Sequence, residues 1–341
     1  MNRVLVFHTA FPGDIVLTLP LVQRLRTAFP HVHIGMVTTP LASELLLHHP
    51  AVDERFLYDK KGIERGAAAL FRLSARLRHG RFDIALIPHR SLRSALVCRL
   101  AGIPRRIGFS TSAGRLLLTD RVEYDGASHE ISRNLSLLRP LGVPAAGGEL
   151  PTLYPDASDR AAVDRFLADH HVLNRGRLIA VAPGSVWNTK RWPTEKFSHL
   201  VRLLLEHGMS VVLIGGEGDR VLCDGILAAV AADGAASAAG SMSLLQSAEL
   251  IRRCRVCVSN DSAPMHLAVA VRTPVTAIFG ATAPEFGFGP AGPSDVVVQT
   301  PGLDCRPCSI HGGKVCPVGT FDCMHRITAE QVFREVVRLD Q

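Results

Sequence analysis

The sequence predicts an α/β protein made of two doubly wound domains that face each other across a cleft. Three observations carry that expectation. Strand-like and helix-like stretches alternate from one end of the 341-residue chain to the other. The strand-like ones are continuous apolar runs, the pattern of a parallel sheet covered by helices on both faces. The alternation breaks once, near residue 155, and then restarts, and a chain of this length has room for two domains of about 150 residues.

In the first half, residues 3–8 (RVLVFH) read as the opening strand. After the break at Pro12-Gly13-Asp14 comes an amphipathic stretch over 21–29, in which Leu21, Val22, Leu25 and Phe29 recur at helical spacing. Residues 32–39 (VHIGMVTT) form the next strand and LASELLLHHP a short helix. LFRLSARLRHG reads as a helix ended by Gly80, and residues 82–88 (FDIALIP) as a strand. SLRSALVCRLAG is a helix closed by Gly102, and residues 105–109 (RRIGF) are a further strand. A loop-like passage, GVPAAGGELPTLYP, leads to a helix over 154–172 opened by Pro155 and Ser158. Beyond it LIAVAPG (178–184), SVVLIGG, VCVSND and PVTAIFG read as strands. They interleave with the helices TEKFSHLVRLLLEHG, SLLQSAELIRRC and APMHLAVAV, and a last helix, TAEQVFREVVRL (328–339), follows.

Composition excludes some classes and leaves others open. No run of about 20 apolar residues occurs, so no membrane-spanning helix is expected. The opening MNRVLVFHTAF suits a strand better than a secretory signal, which points to the cytoplasm. Charge is lopsided: residues 1–150 carry 20 Lys/Arg against 12 Asp/Glu, and residues 151–341 carry 18 against 19. A basic half suits nucleic acid, a membrane surface or an anionic substrate, or is simply a solvated surface. Nucleic-acid binding calls for aromatic residues among the basic ones. Only 6% of residues are aromatic, and none cluster beside the arginines.

Three passages of the second half follow strand ends and carry the chemistry. In VSNDSAPMHLAVA (258–270) a strand ends at Asn260-Asp261, Ser262 stands at a helix start and Pro264 in its first turn. A helix N-terminus at the carboxyl end of a parallel strand suits an anion, so a diphosphate would rest on the N–H groups from Ser262 to His266. Asp261 then orients a sugar hydroxyl, or else Asp261 and Ser262 only cap the helix. In APGSVWNTKRWPTEKF (182–197), Lys190 and Arg191 supply cations for phosphate, Ser185 and Thr189 supply hydroxyls, and Trp192 packs. In IGGEGDR (214–220), Glu217 accepts from a ribose or a base, or is a plain loop acid. The three tips share one sheet edge, where open α/β sheets bind nucleotides. None matches the dinucleotide fingerprint or the Walker A loop. The opening turn of the first half has a single glycine, Gly13, followed by Asp14. A carboxylate there suits a helix start and repels phosphate.

With these residues in view, the chain resembles the ADP-heptose:lipopolysaccharide heptosyltransferases, glycosyltransferase family 9, along nearly its whole length. The resemblance is carried by PGDIVLTLPLVQRLRTAFP, RRIGF, PGSVWNTKRWPTEKF, IGGEGD, SNDSAPMHLAVAVRTPVTAIFGATAP and FGP at 288–290, in that order; it is nearest to the subfamily of the second heptosyltransferase of inner-core assembly. It implies a GT-B fold of two Rossmann-like domains. The acceptor-binding domain would cover 1–155, and the ADP-sugar donor-binding domain 156–325 with a Cys-rich tail at 305–323. A closing helix would cover 326–341. It implies inverting transfer of L-glycero-D-manno-heptose from ADP-heptose to a hydroxyl of the lipopolysaccharide inner core, first heptose above all. The enzyme would be cytoplasmic and peripheral at the inner face of the inner membrane. Asp14 matches the family's proposed general base and Lys190 its donor-phosphate lysine. Ser185, Thr189, Arg191, Glu217, Met242, Asp261, Ser262, Ala263 and His266 fall in the donor set, although the family often has glycine where Ala263 stands.

The chemistry of the residues agrees with that picture. An inverting transfer needs a base beside the acceptor hydroxyl and cations or helix ends beside the departing diphosphate. Asp14 lies in the first domain and Lys190 and His266 in the second, so domain closure is expected to bring them together. No Asp-x-Asp pair is present, EGD at 217–219 being the nearest, and no catalytic metal is expected. Lys60, Lys61, Arg90, Arg93, Arg105 and Arg106 flank strand ends of the first domain. As a set they suit the phosphates and acidic sugars of a lipid-anchored acceptor; singly they are ordinary exposed bases.

Eight cysteines divide into two groups. Cys98, Cys223, Cys254 and Cys257 sit in apolar stretches and read as buried thiols. Cys305, Cys308, Cys316 and Cys323 form C-x2-C-x7-C-x6-C, which suits a structural zinc or iron knuckle or a set of packed free thiols. Other readings of the whole chain are a different GT-B sugar transferase, a nucleotide-sugar epimerase, a nucleic-acid-binding protein with a metal knuckle, and a non-catalytic sugar binder. Asp14, Lys190 and Asp261 argue against the last.

Overall fold

The computed structural model describes all residues but 61, 63–65, 145, 146, 171 and 173–175. It divides into two compact units, Met1–Thr152 and Leu153–Gln341. The first holds a sheet of β1 (Arg3–Phe7), β2 (His33–Thr38), β3 (Glu54–Leu57), β4 (Ile84–Ile87), β5 (Arg105–Phe109) and β6 (Asp120–Val122). Their spatial order is β3-β2-β1-β4-β5-β6, and every described pairing is parallel. The second unit holds β7 (Leu178–Ala182), β8 (Ser210–Leu213), β9 (Ala235–Ser237), β10 (Val256–Asn260), β11 (Val275–Phe279) and β12 (Val296–Gln299). Their order is β12-β11-β10-β7-β8-β9, again all parallel. Counted from its own first strand, each sheet runs 3-2-1-4-5-6, the doubly wound order. The point where the winding reverses lies between β1 and β4 in one unit and between β7 and β10 in the other.

The apolar runs explain the interior strands. Val4 to Phe7 of β1 and all five residues of β7, β10 and β11 are buried. Each large aliphatic side chain withdrawn from water contributes about 1.5–3 kcal/mol. The first unit packs Leu5, Phe7, Val37, Phe56 and Leu73 together. The second packs Ile179, Val181, Phe197, Leu213 and Val258, and the last helix, Ala329–Leu339, adds Val332 and Val336.

Three features differ from the expectation. The first helix spans Pro12–Ala28 rather than starting at 21, with Pro12 at its opening and Pro20 buried inside it. Pro12 is tolerated because the first-turn N–H groups have no helical partner. The helix expected over 154–172 spans Ala157–Asp169; Asp156 caps it, accepting from Ser158 N at 2.8 Å and Asp159 N at 2.9 Å. The strands β3, β6, β9 and β12 have no counterpart in the sequence reading, and they are the four sheet edges. Among the described residues no helix is long and apolar enough to cross a membrane.

Candidate active site

The second unit collects the chemistry at the carboxyl ends of β7, β8, β10 and β11. Asn260, the last residue of β10, is fully buried and joins two loops. Its Nδ2 donates to Pro183 O (2.8 Å), and its Oδ1 accepts from Trp192 N (3.1 Å). That pins the loop after β7 across the switch point. Trp192 is buried and donates Nε1–H to Ile327 O (3.2 Å), which makes it a packing residue, as expected. The next residue, Asp261, takes Lys190 Nζ at 2.6 Å and the hydroxyl of Thr282 at 2.7 Å on one oxygen, Oδ2. The Lys190 and Asp261 side chains are only 13% and 8% exposed. A cation held there is weakly screened, so its charge is fixed in place before any ligand arrives.

The carboxylate of Asp261 therefore goes to Lys190 and Thr282, not to a helix cap. Ser262 is the N-cap of the helix Ala263–Ala270, but its side chain makes no capping bond; its hydroxyl lies 3.3 Å from Ser259 Oγ and from Asn260 O. Pro264 and the buried His266 follow in the first turns. A helix start left without a side-chain cap is open to an anion.

Other members of the expected donor set differ in how far they are committed. Ser185 is buried, and its carbonyl accepts Arg191 Nε–H at 2.7 Å, so Arg191 folds back on its own loop. Glu217 is exposed and paired with Arg220 Nη2 at 2.7 Å. Met242 is half-buried in the turn before the helix Leu244–Arg252, and Ala263 is half-buried at its own helix start. Asp219 closes the β8 loop by accepting from Gly216 N (3.0 Å), and its carboxylate lies where a Cβ on Gly184 would be. Gly184 is thus required by close approach.

The cysteine-rich tail lies against this same loop. Gly313 N donates to Thr189 Oγ1 (2.7 Å), and Thr189 N donates to Gly313 O (3.1 Å). A Cβ on Gly312, whose φ is +81°, would meet Lys190 Cγ at 3.1 Å. On the other side Cys308 N donates to Ala281 O (2.8 Å), and Arg306 Nη2 donates to Thr282 O (2.9 Å). The tail therefore braces both residues that meet at Asp261. All eight cysteines are free thiols. Burial raises Cys323 to about 11, with Cys308, Cys316 and Cys305 among its charged neighbours. Burial also acts to raise Cys316, but backbone N–H groups of Phe321, Val318, Gly319 and Thr320 outweigh it and bring this thiol below its ordinary value. No three of the four tail sulfurs lie within 4.8 Å of one another.

In the first unit Asp14 sits in the first turn of Pro12–Ala28, half-buried, and accepts from Phe11 N at 3.1 Å. The capping role is real, and one oxygen of the carboxylate serves it. Nearby, burial and then the charge of Asp14 push the Glu130 carboxyl up, against the pull of Arg133 at 2.9 Å. Lys60 Nζ reaches Thr9 Oγ1 (3.3 Å), the Arg90 guanidinium lies 4.1 Å over the Tyr124 ring, and Arg93 is exposed on the helix Leu92–Leu100. Lys61 lies outside the described residues. Arg105 and Arg106 do not belong with this set. They open β5 at the opposite, amino edge of the sheet, where Arg105 pairs with Asp120 (2.8 Å) and Arg106 donates to Leu117 O (2.7 Å).

Sequence reasoning missed Asn260, Thr282, Asp219 and Gly313, and in the first unit His8 and His89. A buried asparagine closing an apolar strand was the one local signal for the first of these. The others matter through contacts distant in sequence.

Two Rossmann-like units in tandem, one of them with a phosphate-suited edge, form the architecture of the GT-B glycosyltransferases. A model of glycosyltransferase family 9 (heptosyltransferase) matches residues 70–316, and the chain belongs to that family. It is 29% identical over 296 residues to lipopolysaccharide heptosyltransferase 2 of Salmonella typhimurium, covering 83% of this chain and 84% of that one. A family 9 glycosyl transferase from Veillonella parvula superposes with a TM-score of 0.85 at 25% identity, covering 99% of this chain and 97% of the other. The Escherichia coli ADP-heptose lipopolysaccharide heptosyltransferase II gives 0.80 at 24%, covering 100% and 98%.

Proposed function

We propose that this enzyme transfers L-glycero-D-manno-heptose from ADP-heptose to a hydroxyl of the first heptose of the lipopolysaccharide inner core, with inversion, at the cytoplasmic face of the inner membrane. The single observation that carries the reading is the Lys190–Asp261–Thr282 cluster beside the uncapped helix start at the β10 edge. The donor diphosphate would take the N–H groups from Ser262 to His266 and the ammonium of Lys190. Ser185, Thr189 and Arg191 would line the same loop, and Glu217 and Met242 would meet the nucleoside. Asp14 would remove the proton of the acceptor hydroxyl as its oxygen bonds to the anomeric carbon. The bond from that carbon to the phosphate oxygen breaks, and ADP leaves with the negative charge, which Lys190 and the helix start stabilise. Lys60, Lys61, Arg90 and Arg93 would receive the anionic groups of the acceptor. No step needs a metal on the diphosphate.

The test is transfer from ADP-heptose to defined truncated core acceptors, with UDP-sugars in parallel. Labelled heptose on the core supports the reading. Transfer from a UDP-sugar but not from ADP-heptose defeats the donor assignment, and full turnover by Asp14→Asn defeats the base.

The tail is included in the proposal as a structural knuckle. Cys305, Cys308, Cys316 and Cys323 are a soft donor set suited to zinc or iron, and the backbone N–H groups around Cys316 favour its thiolate. A bound cation would draw the sulfurs together and stiffen the brace on Thr189. Elemental analysis of the purified chain should find close to one equivalent, lost in a Cys305→Ser, Cys308→Ser variant.

A further inference from the structure

The carboxyl edge of the first sheet holds two histidines that the transfer reading leaves unused, beside Lys60, which it assigns to the acceptor. His8 follows β1 and His89 follows β4, the two strands at the switch point where open parallel sheets take ligands, and Lys60, past the edge strand β3, reaches Thr9 Oγ1 beside His8 at 3.3 Å. The rings of His8 and His89 have centroids 5.7 Å apart at a tilt of 31°. His89 Nδ1 lies 3.4 Å from Ser94 Oγ. We propose that His8, His89 and Lys60 form an oxyanion subsite that takes one carboxylate or phosphate group of the acceptor and draws a proton onto the imidazole pair as it binds. The acceptor's identity rests on the transfer reading above; the anion chemistry does not.

The hydrogen-bond chain around His8 fixes where that proton goes. The Thr18 hydroxyl donates to Asp14 O (2.8 Å), so its oxygen accepts from His8 Nδ1–H (2.7 Å). Nδ1 already carries hydrogen, and Nε2 is the atom left to gain one from solvent. The same chain ties the subsite to the backbone of Asp14, the proposed base.

Charge around the pair favours an anion. The charged groups on the packed elements are Asp14, Glu44 after β2, Asp59 and Lys60 after β3, Arg90 beside His89, and Arg93. Lys60 acts on both imidazoles and Arg90 on His89, each as a cation. Burial first, then Lys60 and Arg90, holds His89 down to about 4; burial first, then His89 and Lys60, holds His8 well below its ordinary value. The pair is neutral at pH 7 until an anion reverses the local field.

Full-length protein labelled with 15N, without donor, is titrated with glucose 6-phosphate, glucuronate and glucose while the imidazole nitrogens are followed by NMR; His8→Gln and His89→Gln assign the signals. The proposal expects at least one anionic sugar to move both rings toward imidazolium at pH 7 and glucose to leave them unmoved. The arm that responds tells phosphate from carboxylate. Lys60→Met, which spares the rings, should weaken that response about tenfold or more. No ring response to either anion, an equal response to glucose, or an unchanged response in Lys60→Met overturns the subsite. Intact heptose transfer with silent rings defeats the subsite alone, whereas responsive rings without transfer defeat the transfer reading alone.

Discussion

The two sheets wind alike, strand for strand, and reverse at the same place, yet the edges that face that reversal are chemically opposite. In the second unit the cation is already matched: Lys190 meets Asp261 at 2.6 Å, Thr282 shares the oxygen, and Asn260 stitches the loops behind them. In the first unit basic groups meet one another: the rings of His8 and His89 lie 5.7 Å apart, Lys60 acts on both, and Asp14 stands at a helix start. Topology therefore selects the location, and side chains decide the state. On the proposed roles, one edge is set in advance for a diphosphate, and the other stays uncharged on its imidazoles until a ligand supplies the counter-charge. In the second unit Gly184 makes room for the Asp219 carboxylate.

Substitutions that separate turnover from donor binding test this division most sharply, and the largest effect belongs to Asp14. Asp14→Asn should lower turnover about 10²–10⁴-fold, the usual contribution of a positioned base, and leave ADP affinity within about twofold. Parallel loss of ADP affinity would erase the assignment of separate tasks to the two edges. Lys190→Met is the converse. It strips the ammonium from a largely buried pair and leaves the Asp261 carboxylate with the Thr282 hydroxyl alone among the described residues. Breaking such a pair costs about 3–5 kcal/mol, so calorimetry should record both a lower melting temperature and weakened ADP binding. Asp261→Asn in the same background should restore part of the stability and none of the ADP affinity.

How much of this was readable from residue order depends on how local each cause is. The eight interior strands announce themselves because both faces are covered and the runs are mostly apolar, β5 alone opening on two arginines. The four edges do not. Glu54–Leu57 (ERFL) puts only Phe56 fully inside, and Asp120–Val122 (DRV) only Val122. Half-covered strands of three or four residues have no run long enough to register. The site divides the same way. Lys190 and Asp261 are legible as a cation and an acid at strand ends. Their meeting is not, because Thr189 is held by Gly313 across 124 residues of chain, and Asn260 is joined to Trp192 across 68. Arg105 and Arg106 misled for another reason. Both flank a strand end, but they open β5, which puts them at the amino edge of a parallel sheet and away from the carboxyl edge.

A smaller effect tests the close approach at Gly184. In Gly184→Ala the new methyl and the Asp219 carboxylate would occupy the same space. Overpacking of this kind costs about 1–3 kcal/mol, and here it falls on the loop that carries Ser185. ADP affinity should drop by about tenfold, with Asp14-dependent chemistry intact once donor is saturating. Asp219→Ala in the same chain should recover most of the loss, because it removes the group the methyl strikes. If the double variant is as impaired as the single, the loop fails for some other reason and the glycine argument falls.

The smallest effect is the acid sensitivity that the first unit's buried histidines impose. His89 titrates at about 4 in the folded chain against 6.5 unperturbed, held down by burial and then by Lys60 and Arg90. Between those two values the unfolded chain binds a proton that the folded chain refuses. Stability is therefore full above pH 6.5, falls as pH drops through 6.5 toward 4, and loses nothing further from this group below 4. Partial exposure trims the effect, and about 1–2 kcal/mol should disappear between pH 7 and pH 5. Urea unfolding of His89→Gln should show a correspondingly flatter loss over that interval. His49, also near 4 through burial, serves as the control, since it contributes the same slope. His49→Gln should flatten the acid limb equally, yet leave the response of His8 and His89 to an anionic sugar unchanged. If His49→Gln removed that response as well, burial alone would explain both histidines and the distinction between the two edges would lose its basis in the first unit.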